Sequence, residues 1–309
     1  MSAIPAGKIC EVDVPRGPTA YRRAASYARL AVTFAMIAAV LCAPQGALGE
    51  PREQPLARGI VWQIDYAHLE PKGDWQKLGV TDVLLQWTAV DDMAFVPGTT
   101  LPVAPSLPDW ARIAREPWAQ NVVVGLAARF DERNARDHVA ELIEQSLRLA
   151  AAPPPVHVDG WYFPVEVDPT WTGAASLGLL LDRLPRPLWI SVYDNSNMGG
   201  EAFAAWLDGW LPHDVGVFLQ DGCGAYIRSP GAARQYADAL AARLGKGRVR
   251  IIAEASRVTQ GGAVRAATAE ELAPQLAAYR GYRTYLFDGP HFVSPELVQA
   301  LLRLASSAR

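Results

Sequence analysis

VGVFLQDGCGAYIRSPGAARQYADALAARLGKGRVRIIAE, residues 215–254, contains one whole structural unit of this chain. It opens on Val215–Gln220, an apolar run without polar alternation, and closes on a similar run, Arg248–Glu254. Nearly continuous apolar runs of this length are strands buried on both faces. Between them, Ser229-Pro230 offers an N-cap hydroxyl followed by a proline at the first helical position, which predicts a helix. Two buried strands joined across a helix pair in parallel.

The same unit repeats outward in both directions. Comparable runs occur at Gly59–Asp65, Thr81–Trp87, Asn121–Ala127, His157–Phe163, Pro187–Tyr193 and Tyr282–Asp288. Helical patterns fill the gaps. In Asp131–Ala150, Val139, Leu142, Ile143 and Leu147 recur at helical spacing on one face. Thr268-x-x-Glu271 has the form of a capping box, and Ser294-Pro295 opens a last helix. Ser106–Trp118, Trp171–Leu184 and Gly199–Leu211 complete the set, with Gly73–Leu78 only a short helical turn. Eight strand–helix rounds in about 250 residues predict an α/β fold, a (β/α)8 TIM barrel. A doubly wound sheet would carry a Gly-rich phosphate loop after its first strand, and Asp65-Tyr66-Ala67-His68 is no such loop. Pro153-Pro154-Pro155 is a rigid connection into the fourth strand, so a single barrel domain is expected over 50–309.

Residues 1–49 have a different character. Arg22, Arg23 and Arg29 precede the apolar run Leu30–Ala43, and Ala47-Leu48-Gly49 places small residues where a signal peptidase cuts. That order is a secretory signal behind an N-terminal extension, which predicts export and no membrane association after cleavage. The remaining chain carries 24 basic and 30 acidic residues, all ten tryptophans and a single cysteine, Cys223. A net charge of −3 for the whole chain excludes a broad basic face, so no nucleic-acid partner is expected. Three cysteines make neither a disulfide framework nor a cysteine-rich metal site.

In a barrel of this class the active site forms at the C-terminal strand ends. Here nearly every strand ends on a polar or ionisable group: Asp65, Gln86, Arg129, Glu166, Tyr193-Asp194, Gln220-Asp221, Glu254, and Asp288 with His291. Strands four and seven lie on opposite sides of an eight-stranded ring, so Glu166 and Glu254 can face each other across the mouth. Two facing carboxyl groups can divide the acid and nucleophile roles of glycosidic-bond cleavage. Partial burial among Trp161, Phe163 and Trp171 would raise the pKa of the acid.

On these residues the chain resembles the clan A glycoside hydrolases, through Phe163-Pro164-Val165-Glu166 and Ile251-Ile252-Ala253-Glu254. Val165 stands where the clan usually carries Asn. The segments GWYFPVEVD, SVYDNSN, LQDGCGA and LFDGPHF are similar to exported bacterial barrels grouped near those hydrolases. The resemblance implies a (β/α)8 glycosidase with Glu166 as acid/base and Glu254 as nucleophile or charge stabiliser.

Around that pair, Asp65, Tyr193, Asp194, Asp221 and Asp288 are candidates to shape the mouth and hold substrate, with Arg257 offering a cation for an anionic substituent. Trp87 and Trp171 are candidate platforms for the apolar face of a sugar ring. Asp168 is the alternative carboxylate of strand four, and Asp194 with Asp221 an alternative catalytic pair. His68 and His291 lack an evident third ligand in the sequence, so no metal and no cofactor are expected. No Gly-x-Ser-x-Gly elbow is present, which disfavours serine-nucleophile chemistry. The expected substrate is an oligo- or polysaccharide. A non-catalytic carbohydrate-binding barrel in exopolysaccharide handling stays open as the other function, and the sequence sets no oligomeric state.

Overall fold

The computed structural model describes residues 55–307. The expected export signal, with Cys10 and Cys42, lies outside the described residues. Eight parallel strands close into a barrel: β1 Gly59–Trp62, β2 Asp82–Leu85, β3 Asn121–Gly125, β4 Val158–Val167, β5 Leu188–Val192, β6 Val215–Gln220, β7 Val249–Glu254 and β8 Arg283–Phe287. Each pairs with its neighbours in chain order, and β1 closes the ring on β8 through Gly59 opposite Tyr285. The expected α/β TIM barrel is the fold observed.

Two apolar layers follow from the period-two alternation of strand side chains. Val61, Leu84, Val123, Tyr162, Trp189, Phe218, Ile252 and Tyr285, one from each strand, pack together as the barrel filling. Their neighbours in sequence, such as Ile60, Trp62, Val83 and Leu85, join the larger core under the helices. Both layers are apolar, so the strands read as continuous runs.

The helices are α1 Trp110–Ile113, α2 Glu132–Asp137, α3 Val139–Ala150, α4 Ala174–Leu181, α5 Gly200–Asp208, α6 Pro230–Leu244, α7 Ala269–Ala278, α8 Gly289–Phe292 and α9 Pro295–Ser307. The Ser229 hydroxyl caps α6 by accepting from the Ala232 amide, and Thr268 and Glu271 form the reciprocal capping box of α7. No helix among the described residues is long and apolar enough to cross a membrane.

Two helices differ from expectation. Ser106–Trp118 shrinks to α1, because Asp109 caps it by accepting from the Arg112 amide and the chain leaves helical form before Pro117. Asp131–Ala150 divides at His138 (φ −117°) into α2 and α3. The break separates α3, which carries the buried apolar face, from α2, whose Arg136 reaches the backbone of β4.

Candidate active site

Strand β4 runs farther than its apolar run predicts. Phe163 pairs with Ile190 but Val167 with Val192, so four residues of β4 oppose two of β5. This irregularity, of the kind that re-aims side chains beside functional sites, lies where Glu166 emerges. The Glu166 carboxylate accepts a 2.7 Å hydrogen bond from Gln220 Nε2 at the end of β6. Its backbone carbonyl accepts from Arg136 of α2 at 2.9 Å, and Arg136 also pairs with Glu132 at 2.9 Å. The Trp171 ring lies 5.6 Å from the same guanidinium. Glu132 is thereby held against Glu166. Burial, and then the charge of Glu166, push the Glu132 carboxyl up to about 8.

Glu254 ends β7, and the backbone amides of Gly224 and Ala225 donate to its carboxylate. Gly224 is required for that approach, since a Cβ there would stand 2.7 Å from Glu254 Oε2. Burial and the nearby Asp221 push Glu254 up to about 7, against the lowering effect of the two amides. Asp221 is fully buried and takes donors from Gln275 Nε2 at 2.6 Å, Tyr279 Oη at 2.9 Å and the Cys223 amide at 3.1 Å. A fourth comes from the Glu254 amide at 3.3 Å. Asp221 therefore fixes the turn that carries Gly224 and the backbone of Glu254 together. Cys223 lies inside this turn, its thiol pushed up to about 12 by burial and by Asp221.

Tyr193 lies just past β5, near both carboxylates. Burial raises its phenol, Arg228 opposes that rise, and Glu254, Asp168 and Glu166 reinforce it, so it lies in the field of both glutamates. Arg228 is sandwiched between the rings of Tyr193 and Tyr236, at 5.0 and 4.6 Å. Asp168 is buried and accepts from the amides of Thr170 (2.6 Å) and Asn195 (3.2 Å). Asp194 is buried too. Its carboxylate accepts from Ser196 Oγ and Tyr236 Oη, both at 2.7 Å, and these bonds outweigh burial and keep it below the ordinary carboxylate range. Asp194 thus holds the loop leading into α5, and Asp221 the turn after β6.

Other expected contacts fall elsewhere. Arg257 is buried, and its guanidinium donates to the carbonyls of Glu254, Ser256 and Glu271 and to Gln275 Oε1. Trp87 is only 6% exposed, with its Nε1 donating to the Ile64 carbonyl at 3.0 Å. Its ring meets that of Phe130 edge-on at 6.4 Å, and Phe130 is 76% exposed. Asp65 and Asp288 form a separate group with His68 and His291 at the ends of β1 and β8.

Sequence reasoning passed over Glu132 and Phe130, and it placed Gln220 at the end of its strand without a partner. Glu132 opens α2, and its approach to β4 runs through Arg136, a contact between elements that the sequence does not show. A broader pattern was also illegible: every strongly exposed large apolar side chain among the described residues, except Leu179, lies between the end of a barrel strand and the helix after it, Tyr66, Phe130, Met198 and Tyr226 among them.

No protein-family model matches the chain, and no curated protein does. Among solved structures, it is similar to a candidate alpha-L-fucosidase from Bacteroides thetaiotaomicron, with TM-score 0.55 and 16% identity over 86% of this chain and 98% of that one. A chitinase from Chromobacterium violaceum gives TM-score 0.43 and 10% identity over 80% of this chain and 98% of that one. At 16% identity, the first likeness is one of fold: this chain shares a (β/α)8 barrel with that protein.

Proposed function

We propose that this chain is an exported glycoside hydrolase whose active site is the C-terminal mouth of the barrel between β4 and β7. The observation that supports this most is the collection of proton-holding carboxyl groups there. Glu132 at about 8 and Glu254 at about 7 flank Glu166 and Tyr193 in one neighbourhood. Perturbed carboxyl groups gathered in a barrel mouth are a mark of acid–base chemistry.

Glu132, which keeps its proton at neutral pH, passes it to the Glu166 carboxylate as Glu166 protonates the leaving oxygen, and the water that attacks the sugar returns a proton through Glu166 to Glu132. Glu254, fixed by the amides of Gly224 and Ala225, is the nucleophile or charge stabiliser on the opposite side. Asp221 positions Glu254 through the shared turn. Exposed Tyr66, Phe130 and Tyr226 provide apolar faces for sugar rings at the rim.

A panel of aryl glycosides tests the proposal, with alpha-L-fucosides first because that is the activity named for the structural neighbour. Turnover requires Glu254 ionised and Glu132 protonated, so kcat/KM is expected to rise through about pH 7 and fall through about pH 8. No turnover across the panel and across natural polysaccharides, or a profile flat from pH 5 to 9, would sink it. Export is checked by the mass of the protein recovered outside the cytoplasm, which should lack residues 1–49.

Carbohydrate binding without turnover is the second reading. Val165, at the position where the resembling hydrolases carry Asn, is fully buried and offers no polar atom. Glycan binding that survives in both Glu166→Gln and Glu254→Gln, with no hydrolysis by the unaltered chain, would favour it.

A further inference from the structure

The group at β1 and β8 has a geometry that the glycosidase mechanism does not use. Asp65 and His68 lie in the loop after β1, and His291 lies in α8 after β8; closure of the ring brings them together. Asp65 Oδ1 is 3.1 Å from His68 Nδ1, and Asp65 Oδ2 is 3.0 Å from His291 Nε2. The two imidazole centroids are 3.7 Å apart. Behind them Asp288, 1% exposed, places Oδ2 at an ion-pair distance of 2.7 Å from His291 Nδ1, while Asp288 Oδ1 and His291 Nδ1 complete no hydrogen bond.

We propose that Asp65, His68 and His291 bind one first-row divalent cation, with zinc the best fit, and that Asp288 orients His291 for it.

A neutral imidazole has one N–H. When His291 directs that N–H to the buried Asp288, its Nε2 lone pair faces a carboxylate oxygen 3.0 Å away, which is also electron-rich. A second proton on the ring or a metal cation between the two resolves the opposition, and the cation would use all three donor residues at once. The three donor atoms lie within 4.8 Å of one another. Each ring nitrogen lies beside a different oxygen of Asp65, so the carboxylate would grip the ion with one oxygen or with both, between the two imidazoles, at ligand distances of about 2.0–2.2 Å. Two imidazoles and one carboxylate are a donor set that zinc accepts. Carboxylate–histidine–metal relays such as Asp288–His291 fix the tautomer of the ligand. The His68 amide donates to Asp65 Oδ1 at 2.7 Å and holds the carboxylate in place. The Asp65, His68 and His291 side chains are 46%, 31% and 25% exposed, so an ion can enter and keep a fourth position open to water or a substrate oxygen.

The test is titration of the full chain with zinc by calorimetry against a competing chelator, repeated with cobalt for its visible spectrum. The expected result is one ion per chain, with d–d bands of a four-coordinate nitrogen–oxygen site. His68→Ala and His291→Ala should weaken binding at least about 100-fold, and Asp288→Asn about 10–100-fold. Melting curves confirm that each variant is folded, and His291→Gln replaces His291→Ala if the latter does not melt cooperatively. The proposal is overturned if the unaltered chain takes up no zinc or if the variants bind as tightly as it does. Sulfur-to-cobalt charge-transfer bands, which would put the ion on a cysteine, overturn it as well. None of these readouts depends on glycosidase activity.

Discussion

At the N-terminal end of the barrel, Asp82 accepts hydrogen bonds from Thr81 Oγ1 at 2.8 Å, Arg58 Nε and Asn121 Nδ2 at 3.0 Å, and Tyr285 Oη at 3.1 Å. At the C-terminal end, Glu254 has two backbone amides and a buried carboxyl group, Asp221, for neighbours. Burial acts on both in the same direction. At the base, the donors outweigh burial and hold Asp82 below the ordinary carboxylate range. At the mouth they do not, and Glu254 and Glu132 rise to about 7 and about 8. The base also has a cation of its own: Arg250 lies 3.7 Å over the Trp189 ring and donates to Tyr285 Oη at 3.1 Å. The mouth instead crowds carboxyl groups, with Arg136 at its edge and Arg257 turned into the loop backbone. The lesson is one of individual carboxyl groups: donors win over burial at Asp82 in the base and at Asp194 in the mouth, whereas at Glu254 and Glu132 burial and a neighbouring carboxyl win and leave a proton available near neutral pH.

The largest effects should come from removing chemistry at the mouth. Glu166→Gln and Glu254→Gln are each expected to lower turnover by about 10²–10⁴-fold while the protein stays folded by circular dichroism. The comparison breaks if either variant instead unfolds with its activity per folded molecule intact. Next is the base. Asp82→Ala leaves Tyr285 and the partly exposed Arg58 without their acceptor and should cost about 1–3 kcal/mol in urea unfolding at pH 7, with kcat of the folded enzyme unchanged.

The pH dependence of stability sharpens the contrast, because the two ends have opposite signs. Glu254 has a folded pKa raised from 4.5 to about 7, so its contribution is fully present below about pH 4.5 and is lost as pH rises through about 7. Glu254→Gln should therefore gain stability over the unaltered chain at pH 8, on the order of 2 kcal/mol, and lose that gain below pH 4.5. Asp82 has a lowered folded pKa, so its contribution is present above its unfolded value and disappears as pH falls through the folded one. The penalty of Asp82→Ala should shrink in acid, while the gain from Glu254→Gln appears only as pH rises toward 7 and above. The smallest effects belong to the rim. Tyr66→Ala and Phe130→Ala should each weaken oligosaccharide binding by about 0.5–1.5 kcal/mol, read as a rise in KM with kcat held.

Much of this architecture was legible before any coordinates. The eight runs from Gly59 to Asp288 fall on the eight strands, because strands buried on both faces leave no room for polar alternation. The caps Ser229 and Thr268 act where their hydroxyls predict, since capping needs only neighbours within a turn. The candidate site was legible in part. Strand ends located Glu166, Tyr193 and Glu254, but the same rule gave no means to separate them from Asp194 and Asp221. Those two are buried in hydrogen bonds from Tyr236, Gln275 and Tyr279, residues tens of positions away. Trp87 failed the same way: its place at a strand end was readable, but its packing under Phe130 was not.

The sequence by itself determined the barrel, the order of its strands and the polar character of its mouth, because periodicity and capping are local and repeat along the chain. Only the tertiary structure decided which carboxyl groups share a neighbourhood, which are neutralised by distant donors, and that Asp65 joins His68 to His291. Those outcomes depend on burial and on contacts across the closed ring, and neither is encoded at any single position.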